Sequence, residues 1–218
     1  MEYQQTANQA IAIAWKNAWH NQVFRIQTII GSLVLVAMLA YMPHFFGMME
    51  KRQGIVLNDL LLQQLPAIDV SVITFLIIWS INFLLIYRSV QDPSVFILGL
   101  YTLILVNLIR FATISMTPLD PPLGLVPLRD PLSSLFYGGP KIFITKDLFF
   151  SGHTSSQFMV FLCLKNRKDK LVALVASIVV GLLVLIQHVH YTIDVAAAFL
   201  ATYLAFWLAG KLINGTGN

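Results

Sequence analysis

Six long stretches of the sequence carry almost no charge, and they restrict the possible folds more than any other feature. Each approaches the roughly 20 apolar residues that a helix needs to cross a bilayer. Barrel strands would instead alternate apolar and polar residues. The sequence therefore predicts an all-α polytopic membrane protein, a bundle of six transmembrane helices. The predicted spans are 23–42, 70–87, 94–112, 148–164, 171–187 and 193–212.

The composition agrees with a membrane protein and excludes other classes. Hydrophobic residues make up 57% of the 218 residues and charged residues only 11%, whereas an ordinary soluble domain is about a quarter charged. A soluble enzyme and a disordered chain are therefore excluded. The single cysteine, Cys163, cannot form an internal disulfide, which excludes a disulfide-rich secreted domain. The net charge of +4 indicates basic loops rather than a nucleic-acid partner.

The first 22 residues are more polar and predict a helix outside the bundle. Ile11, Trp15, Ala18 and Trp19 recur at helical spacing on one face. Two tryptophans on an apolar face are typical of a helix that lies in the membrane interface, and a solvated helix that leans on the bundle is the alternative. The predicted organisation is an amphipathic interfacial helix over 1–22, a six-helix catalytic domain over 23–212 and a short polar tail over 213–218.

The loop between the fourth and fifth predicted spans sets the expected orientation. Residues 165–170 include four basic side chains, and short basic loops face the cytoplasm. With six crossings, both termini are then cytoplasmic. The compact chain favours a bacterial inner-membrane protein, and no clear self-association motif decides whether it forms an oligomer. The loops on the opposite side also contain basic residues, namely Lys51, Arg52, Arg129, Lys141 and Lys146.

A long loop over 113–147 follows the third predicted span. Proline restricts both itself and the preceding residue, so this loop is expected to be stiff and mostly extended. Loops of this length are usually functional or disordered, and the apolar residues here favour an ordered lid that touches the membrane. Its prolines are Pro118, Pro121, Pro122, Pro127, Pro131 and Pro140.

Polar residues that can carry chemistry cluster in two places. Residues 147–154 lie at the mouth of the fourth span, and residues 188–194 lie at the mouth of the sixth. An even number of crossings separates them, so both lie at the same membrane face whichever way the protein is inserted. In the expected orientation this is the outer, periplasmic face.

His190 and Asp194 are the strongest catalytic candidates. Four residues apart, they are expected to share one helical face within side-chain reach. A carboxylate bonded to one imidazole nitrogen leaves the other as a directed nucleophile or base. The alternative is that the two residues only cap a helix at the interface. His188 cannot share a helical face with His190, and a supporting role is expected for it.

The run Ser151-Gly152-His153 opens the fourth span and indicates an anion site. A small Ser-Gly turn at a helix N-terminus lets backbone N–H groups point at a phosphate. His153 is then placed to protonate a leaving alkoxide.

These two motifs resemble signature motifs of the type 2 phosphatidic acid phosphatase superfamily. The likeness is closer to the sphingomyelin synthases and their relatives. Their Asp-x-x-x-Ser-Gly-His-Thr block is similar to 147–154, and their His-Tyr-Thr-x-Asp-Val block is similar to 190–195. Arg110 and Thr113, with the prolines that follow, resemble a third block, and residues 66–69 resemble a fourth more weakly.

The chain departs from the phosphatase branches at two phosphate-gripping blocks. It lacks their Lys-x6-Arg-Pro block, and it has Leu183 and Val184 where they have Ser-Arg. A dianionic phosphate monoester would lose its strongest partners, whereas a phosphodiester carries one negative charge and needs fewer cations. The departures therefore argue against a plain phosphomonoesterase.

The resemblance implies a head-group transferase that uses no metal and no other cofactor. His190, oriented by Asp194, would attack the phosphorus of a phospholipid donor and form a phosphohistidine. His153 would protonate the leaving oxygen and then deprotonate the acceptor, a lipid alcohol such as ceramide or diacylglycerol. Phosphate-binding or supporting roles are expected for Ser151, Gly152, Thr154, Asp147, Arg110, His188 and Tyr191.

Several alternatives stay open at this point. Arg110 either grips phosphate or pairs with Asp147, or it only snorkels to the interface. Asp147 either tunes His153 or caps the helix. A phospholipase C-like or lipid phosphate hydrolase on the same scaffold is the second functional hypothesis. A non-catalytic lipid carrier is the third.

Overall fold

A computed structural model describes residues 2–129 and 144–215. Within these residues the protein is all-helical, with one single-turn 3₁₀ helix at Leu62–Gln64 and one isolated β-bridge between Ile55 and Leu119. The prediction of an all-α polytopic membrane protein is confirmed. The helices are α1 Glu2–His20, α2 Gln22–Glu50, α3 Ser71–Gln91, α4 Pro93–Met116, α5 Gly152–Cys163, α6 Arg167–Ile186 and α7 Thr192–Gly215.

Five of these helices, namely α2, α3, α4, α6 and α7, are long and apolar enough to cross a membrane. The fourth predicted span, 148–164, is wrong in its extent, because the helix there covers only 12 residues. At 1.5 Å per residue it is about 18 Å long, well short of the roughly 30 Å hydrocarbon core. The helix starts late because the Ser151 side chain caps it.

The short helix α5 nevertheless occupies the place of a sixth span. It packs against α3, α4, α6 and α7, so its polar ends lie among other helices. At one end of the bundle, Lys165 after α5 pairs with Asp92, which alone separates α3 from α4 (2.6 Å). At the other end, the start of α5 contacts Arg110 of α4. We call these ends the turn end and the site end of the bundle.

Helix α2 extends further than the sequence predicts. Its apolar run was expected to end before Pro43, yet the helix continues to Glu50 with Pro43 inside it. Proline in a helix interior costs about 3 kcal/mol. Burial of Phe45 and Phe46 against Ile114 of α4 offsets that cost, since each buried phenylalanine contributes roughly 1.5–3 kcal/mol.

Helix α1 lies at the turn end and contacts α2 and α4. The Trp15 indole donates a hydrogen bond to the Val90 carbonyl (2.7 Å), and its ring packs against Phe24 and Phe96. Trp19, by contrast, is 45% exposed. The alternative of a helix that leans on the bundle therefore describes Trp15, while Trp19 keeps the exposure expected of an interfacial residue.

Two loops cover the site end, and we call them together the roof: residues 51–70 and 117–129. Ile55 joins them through backbone hydrogen bonds with Pro118 and Asp120 (3.0 and 3.1 Å). Gly54 permits this approach, since a Cβ there would lie 2.4 Å from the Leu119 carbonyl carbon. Residues 130–143 of the long proline loop, which include Pro131, Pro140 and Lys141, lie outside the described residues.

Candidate active site

The structure brings the two sequence motifs together at the site end of the bundle. The Ser151 backbone N–H, at the start of α5, donates to the Asp194 carbonyl in the first turn of α7 (3.1 Å). The rings of His153 and His190 then lie 6.1 Å apart, centroid to centroid, at an interplanar angle of 63°. The two imidazoles are therefore close enough to act on one substrate, one as a nucleophile and the other as a proton donor or acceptor for a substrate oxygen.

His190 and Asp194 form a buried pair. His190 Nδ1 lies 3.3 Å from Asp194 Oδ2, and the two side chains are 3% and 0% exposed. The same carboxylate oxygen accepts the Tyr191 backbone N–H (3.0 Å). With Nδ1 turned to the carboxylate, the Nε2 lone pair of a neutral His190 is left for a reacting atom.

The expected shared helical face of this pair is wrong. Helix α7 begins only at Thr192, so His190 precedes the helix. Asp194 instead reaches back from the first turn to the Tyr191 N–H, as an acidic residue does in a capping box. The carboxylate thus holds His190 and caps α7 at once, and the capping alternative coexists with the pairing.

His153 lies in the first turn of α5, between an aromatic ring and the second histidine. Phe75 of α3 packs edge-on against it, with ring centroids 6.0 Å apart. Unlike His190, the His153 side chain is only partly buried. It is thus the more accessible of the two rings and suits proton exchange with a substrate oxygen.

Ser151 and Thr154 have local partners rather than an open anion site. Ser151 Oγ accepts hydrogen bonds from the Thr154 backbone N–H (3.3 Å) and the Thr154 hydroxyl (3.1 Å), and both residues are fully buried. Their geometry is that of a helix N-cap. Of the phosphate-binding or supporting roles expected for Ser151 and Thr154, these contacts correspond to the supporting one, at the start of α5.

Gly152 is needed because Arg110 lies directly against it. A Cβ at this position would be 2.6 Å from the guanidinium carbon of Arg110. Arg110 itself is buried, pairs with the Asp147 carboxylate, and donates from Nε to the Phe150 carbonyl (3.3 Å). Snorkelling of Arg110 is therefore wrong. Ser151 is the cap of α5, so the capping alternative for Asp147 is wrong. Asp147 instead pairs with Arg110.

Gly152→Ala is expected to reduce both stability and activity. The guanidinium would have to move, and its bonds to Asp147 and Phe150 hold it in place, so we expect a loss of about 1–3 kcal/mol, as for other overpacked cores. Gly210→Ala is the matched control. A Cβ at Gly210 meets nothing within 4 Å, and alanine gains about 1 kcal/mol of helix propensity. Thermal unfolding in detergent checks both variants, and equal melting temperatures would contradict the packing account.

His188 and Tyr191 connect the site to the roof. The two ring nitrogens of His188 face the carbonyl oxygens of Leu123 (2.9 Å) and Leu65 (3.1 Å), one on each roof loop. The Tyr191 hydroxyl donates to the Asp120 carbonyl (2.9 Å) and accepts from the Leu57 N–H (3.1 Å). Burial raises the pKa of Tyr191, which keeps the hydroxyl protonated as a donor.

Asp59 is a supporting residue that sequence reasoning missed. From the roof, its carboxylate accepts the Thr192 backbone N–H (2.6 Å) and the Thr192 hydroxyl (3.0 Å), two residues after His190. Partial burial raises the pKa of Asp59, but hydrogen bonds from Thr192, Leu62 and Leu61 outweigh this and leave the pKa below its ordinary value. The one available signal was an isolated acidic residue in the otherwise uncharged run 53–68.

Asp59→Asn should destabilise the protein by about 0.3–1 kcal/mol near neutral pH, because asparagine can still accept the Thr192 N–H but removes the negative charge at the N-terminus of α7. Because the folded pKa is lowered, the charged form stabilises the fold above the unfolded value of 3.8 and loses this effect as pH falls through the lower folded pKa. The difference in melting temperature between Asp59→Asn and the parent protein should therefore be constant above about pH 5 and shrink below about pH 4. A difference that grows on acidification would contradict this.

Gln187, at the end of α6, is the second residue that the sequence did not reveal. Its fully buried amide nitrogen donates to Ser71 Oγ (2.8 Å) and the Pro127 carbonyl (3.2 Å), and its amide oxygen accepts the Val70 N–H (3.2 Å). Asp69, in the weak fourth block, accepts from the backbone N–H and the hydroxyl of Ser71. This block therefore anchors the start of α3 and the roof.

The described residues contain no group of three or more His, Cys, Asp or Glu side chains arranged to hold a metal ion. The chemistry that this arrangement itself offers is nucleophilic attack and proton transfer by two histidines.

Comparison with known proteins places this site in a recognised family region. Residues 146–211 match the family model described as PAP2 superfamily C-terminal, a stretch that contains α5, α6, most of α7 and both histidine motifs. No curated protein and no solved structure matches the chain. This match covers less than a third of the chain and agrees with the resemblance of the two motifs to the type 2 phosphatidic acid phosphatase superfamily.

Proposed function

We propose that the protein is a phospholipid head-group transferase of the sphingomyelin synthase type. It moves a phospho-head group from a glycerophospholipid to a lipid alcohol, ceramide or diacylglycerol. The observation that carries this proposal is the buried His190–Asp194 pair, which faces His153 in a polar site at the end of an apolar bundle.

In the first half-reaction His190 acts as the nucleophile. Its Nε2 forms a bond to phosphorus as the bond from phosphorus to the glycerol oxygen breaks. His153, in its protonated form, gives its proton to the leaving oxygen, which releases diacylglycerol. Asp194 stabilises the positive charge that develops on His190. The product is a phosphohistidine that still carries the head group.

In the second half-reaction the acceptor alcohol attacks the same phosphorus. His153, now neutral, takes the hydroxyl proton as the oxygen–phosphorus bond forms. The bond between His190 Nε2 and phosphorus breaks, and both histidines return to their initial protonation states. Two moderate barriers thus replace one high barrier.

The charges around the site support a phosphodiester substrate. Arg110, the cation that touches the Ser-Gly-His motif, is already paired with Asp147. Val184, at one of the phosphatase cation positions, is fully buried in an apolar cluster with Phe75. A dianionic monoester would find few cationic partners here, whereas a monoanionic diester needs fewer of them.

The roof supports transfer over hydrolysis. It binds directly to the segment around His190 through His188 and Tyr191, and His190 itself is buried. Restricted water access around a phosphohistidine favours a lipid alcohol as the acceptor.

We propose that the site faces the periplasm of a bacterial inner membrane and that both termini are cytoplasmic. The basic loop 165–170 lies at the turn end of the bundle, opposite the site. On the site side, Arg52 donates to the carbonyls of Ile114 and Ser115, and Lys146 pairs with Asp120. These two cations have structural partners that explain their place in the outer loops.

Product analysis tests the proposed function. The purified protein is incubated in mixed micelles with fluorescent ceramide or diacylglycerol and separate donor phospholipids. A new fluorescent phospholipid that is absent with His190→Ala and His153→Ala is the expected result. The superfamily match favours a hydrolase as the second candidate. Release of diacylglycerol without any acceptor product would support that candidate instead.

A further inference from the structure

The roof exposes an unusual number of large apolar side chains for a pair of loops. Contiguous exposed apolar surface marks a place where a protein meets another apolar phase. Leu60 is 68% exposed and Leu123 is 79% exposed, one on each loop. The full set is Ile55, Val56, Leu57, Leu60, Leu61, Ile68 and Leu123.

We infer that the roof itself is embedded in the outer interface of the bilayer, with these side chains among the lipids. The partner of this surface is the head-group and upper acyl-chain region of the membrane. The inference concerns the position of the roof in the bilayer, and it stands whether or not the site performs the proposed transfer.

The polar groups of the first roof loop between residues 53 and 68 are arranged as a membrane interface requires. The only charged residue between 53 and 68 is Asp59, and its carboxylate turns inward to Thr192. Asn58 accepts a hydrogen bond from the Gln63 amide (2.6 Å), and the Gln64 amide donates to the Leu60 carbonyl (3.2 Å). Polar groups with internal partners carry a smaller desolvation cost in lipid.

The exposed apolar surface of the roof continues the lipid-facing surface of the spans. Ile68, at the end of the first roof loop, leads into Val72 and Leu76 of α3 at a spacing of four residues, and all three are exposed. Met116, the last residue of α4, is 81% exposed just before the second roof loop begins. The continuity with the spans identifies lipid as the phase that covers the roof.

The roof and the histidine site share the same anchors. His188 and Tyr191 flank His190 in the sequence, and both bind the roof. His188 contacts Leu65 and Leu123. Tyr191 contacts Leu57 and Asp120. A roof at the interface therefore fixes the depth of the His190 segment below it.

Fluorescence quenching in vesicles tests the position of the roof. Single cysteines replace Leu60 and Leu123 in a Cys163→Ala background and are labelled with an environment-sensitive fluorophore after reconstitution into phosphatidylcholine vesicles. Leu200→Cys in α7 is the lipid control, because the Leu200 side chain is 77% exposed on the bundle surface. Lys168→Cys in the first turn of α6 is the water control. Each variant is compared with the parent by gel filtration in detergent.

The readout is a ratio of two quenching efficiencies. The first is quenching by lipids that carry a nitroxide near the top of the acyl chain, and the second is quenching by soluble iodide. We expect this ratio at Leu60 and Leu123 to exceed the Lys168 value severalfold and to approach that of Leu200. Ratios at both positions equal to that of Lys168 would overturn the inference. Because the two positions lie on different loops, a variant that misfolds at one leaves the other to decide.

Discussion

His190→Ala should abolish transfer of the phospho-head group while the protein stays folded. His190 Nε2 is the protein atom that bonds to phosphorus in the proposed reaction, and removal of a nucleophile typically costs about 10³-fold or more in kcat. The side chain is buried beside Asp194, so some loss of stability is also expected. Turnover of a fluorescent acceptor lipid, measured on protein that elutes as the parent does, checks the prediction.

His20→Ala is the matched control for this variant. His20 ends α1 at the turn end, where its side chain is exposed and Nδ1 contacts the Lys16 carbonyl (2.7 Å). It should turn over at the parental rate. An active His190→Ala protein would remove this histidine from the mechanism.

Asp194→Asn should reduce transfer activity nearly as much as His190→Ala does, with a smaller effect on folding. An asparagine oxygen can still accept the Tyr191 N–H and cap α7, so the local fold should persist. One carboxylate oxygen, Oδ2, makes both contacts, so the asparagine oxygen that keeps the Tyr191 N–H also faces His190 Nδ1. The change therefore removes the negative charge that stabilises the imidazolium formed when His190 attacks. We expect kcat to fall by about 10³–10⁴-fold, the effect known for such a change in a catalytic triad.

Asp92→Asn gives the comparison for the aspartate change. Asp92 caps α4 through the Ser94 N–H at the turn end, and asparagine caps a helix as well as aspartate does. Its kcat should remain parental. If Asp194→Asn kept activity within about tenfold of the parent, the carboxylate would serve the helix rather than the histidine.

The sequence was sufficient to predict the spanning helices and the pairing of His190 with Asp194. Long apolar runs specify spanning helices because the bilayer permits little else. The spacing of four between His190 and Asp194 correctly indicated a contact, since both a helical face and a capping turn bring such residues together. Which of the two geometries applies depends on where α7 starts, and that start depends on Asp59 across the fold.

The parts that could not be predicted depend on partners that are distant in sequence. Asp59 lies 133 residues from Thr192, and Gln187 lies 116 residues from Ser71. Arg110 and Gly152 meet only because α4 and α5 pack together. No local pattern encodes these contacts. The predicted end of α2 before Pro43 was wrong for a related reason. The α2 sequence does not show that Phe45 and Phe46 are buried against α4.

The central claim, covalent catalysis by His190, is tested most directly by trapping the intermediate. Purified protein is mixed with a donor phospholipid that carries ³²P in its head group, without an acceptor, and then denatured in alkali, where phosphohistidine survives. We predict label on the peptide that contains His190, discharge of the label when ceramide or diacylglycerol is added before denaturation, and no label in His190→Ala. Turnover without any labelled protein, or label on a different residue, would contradict the mechanism.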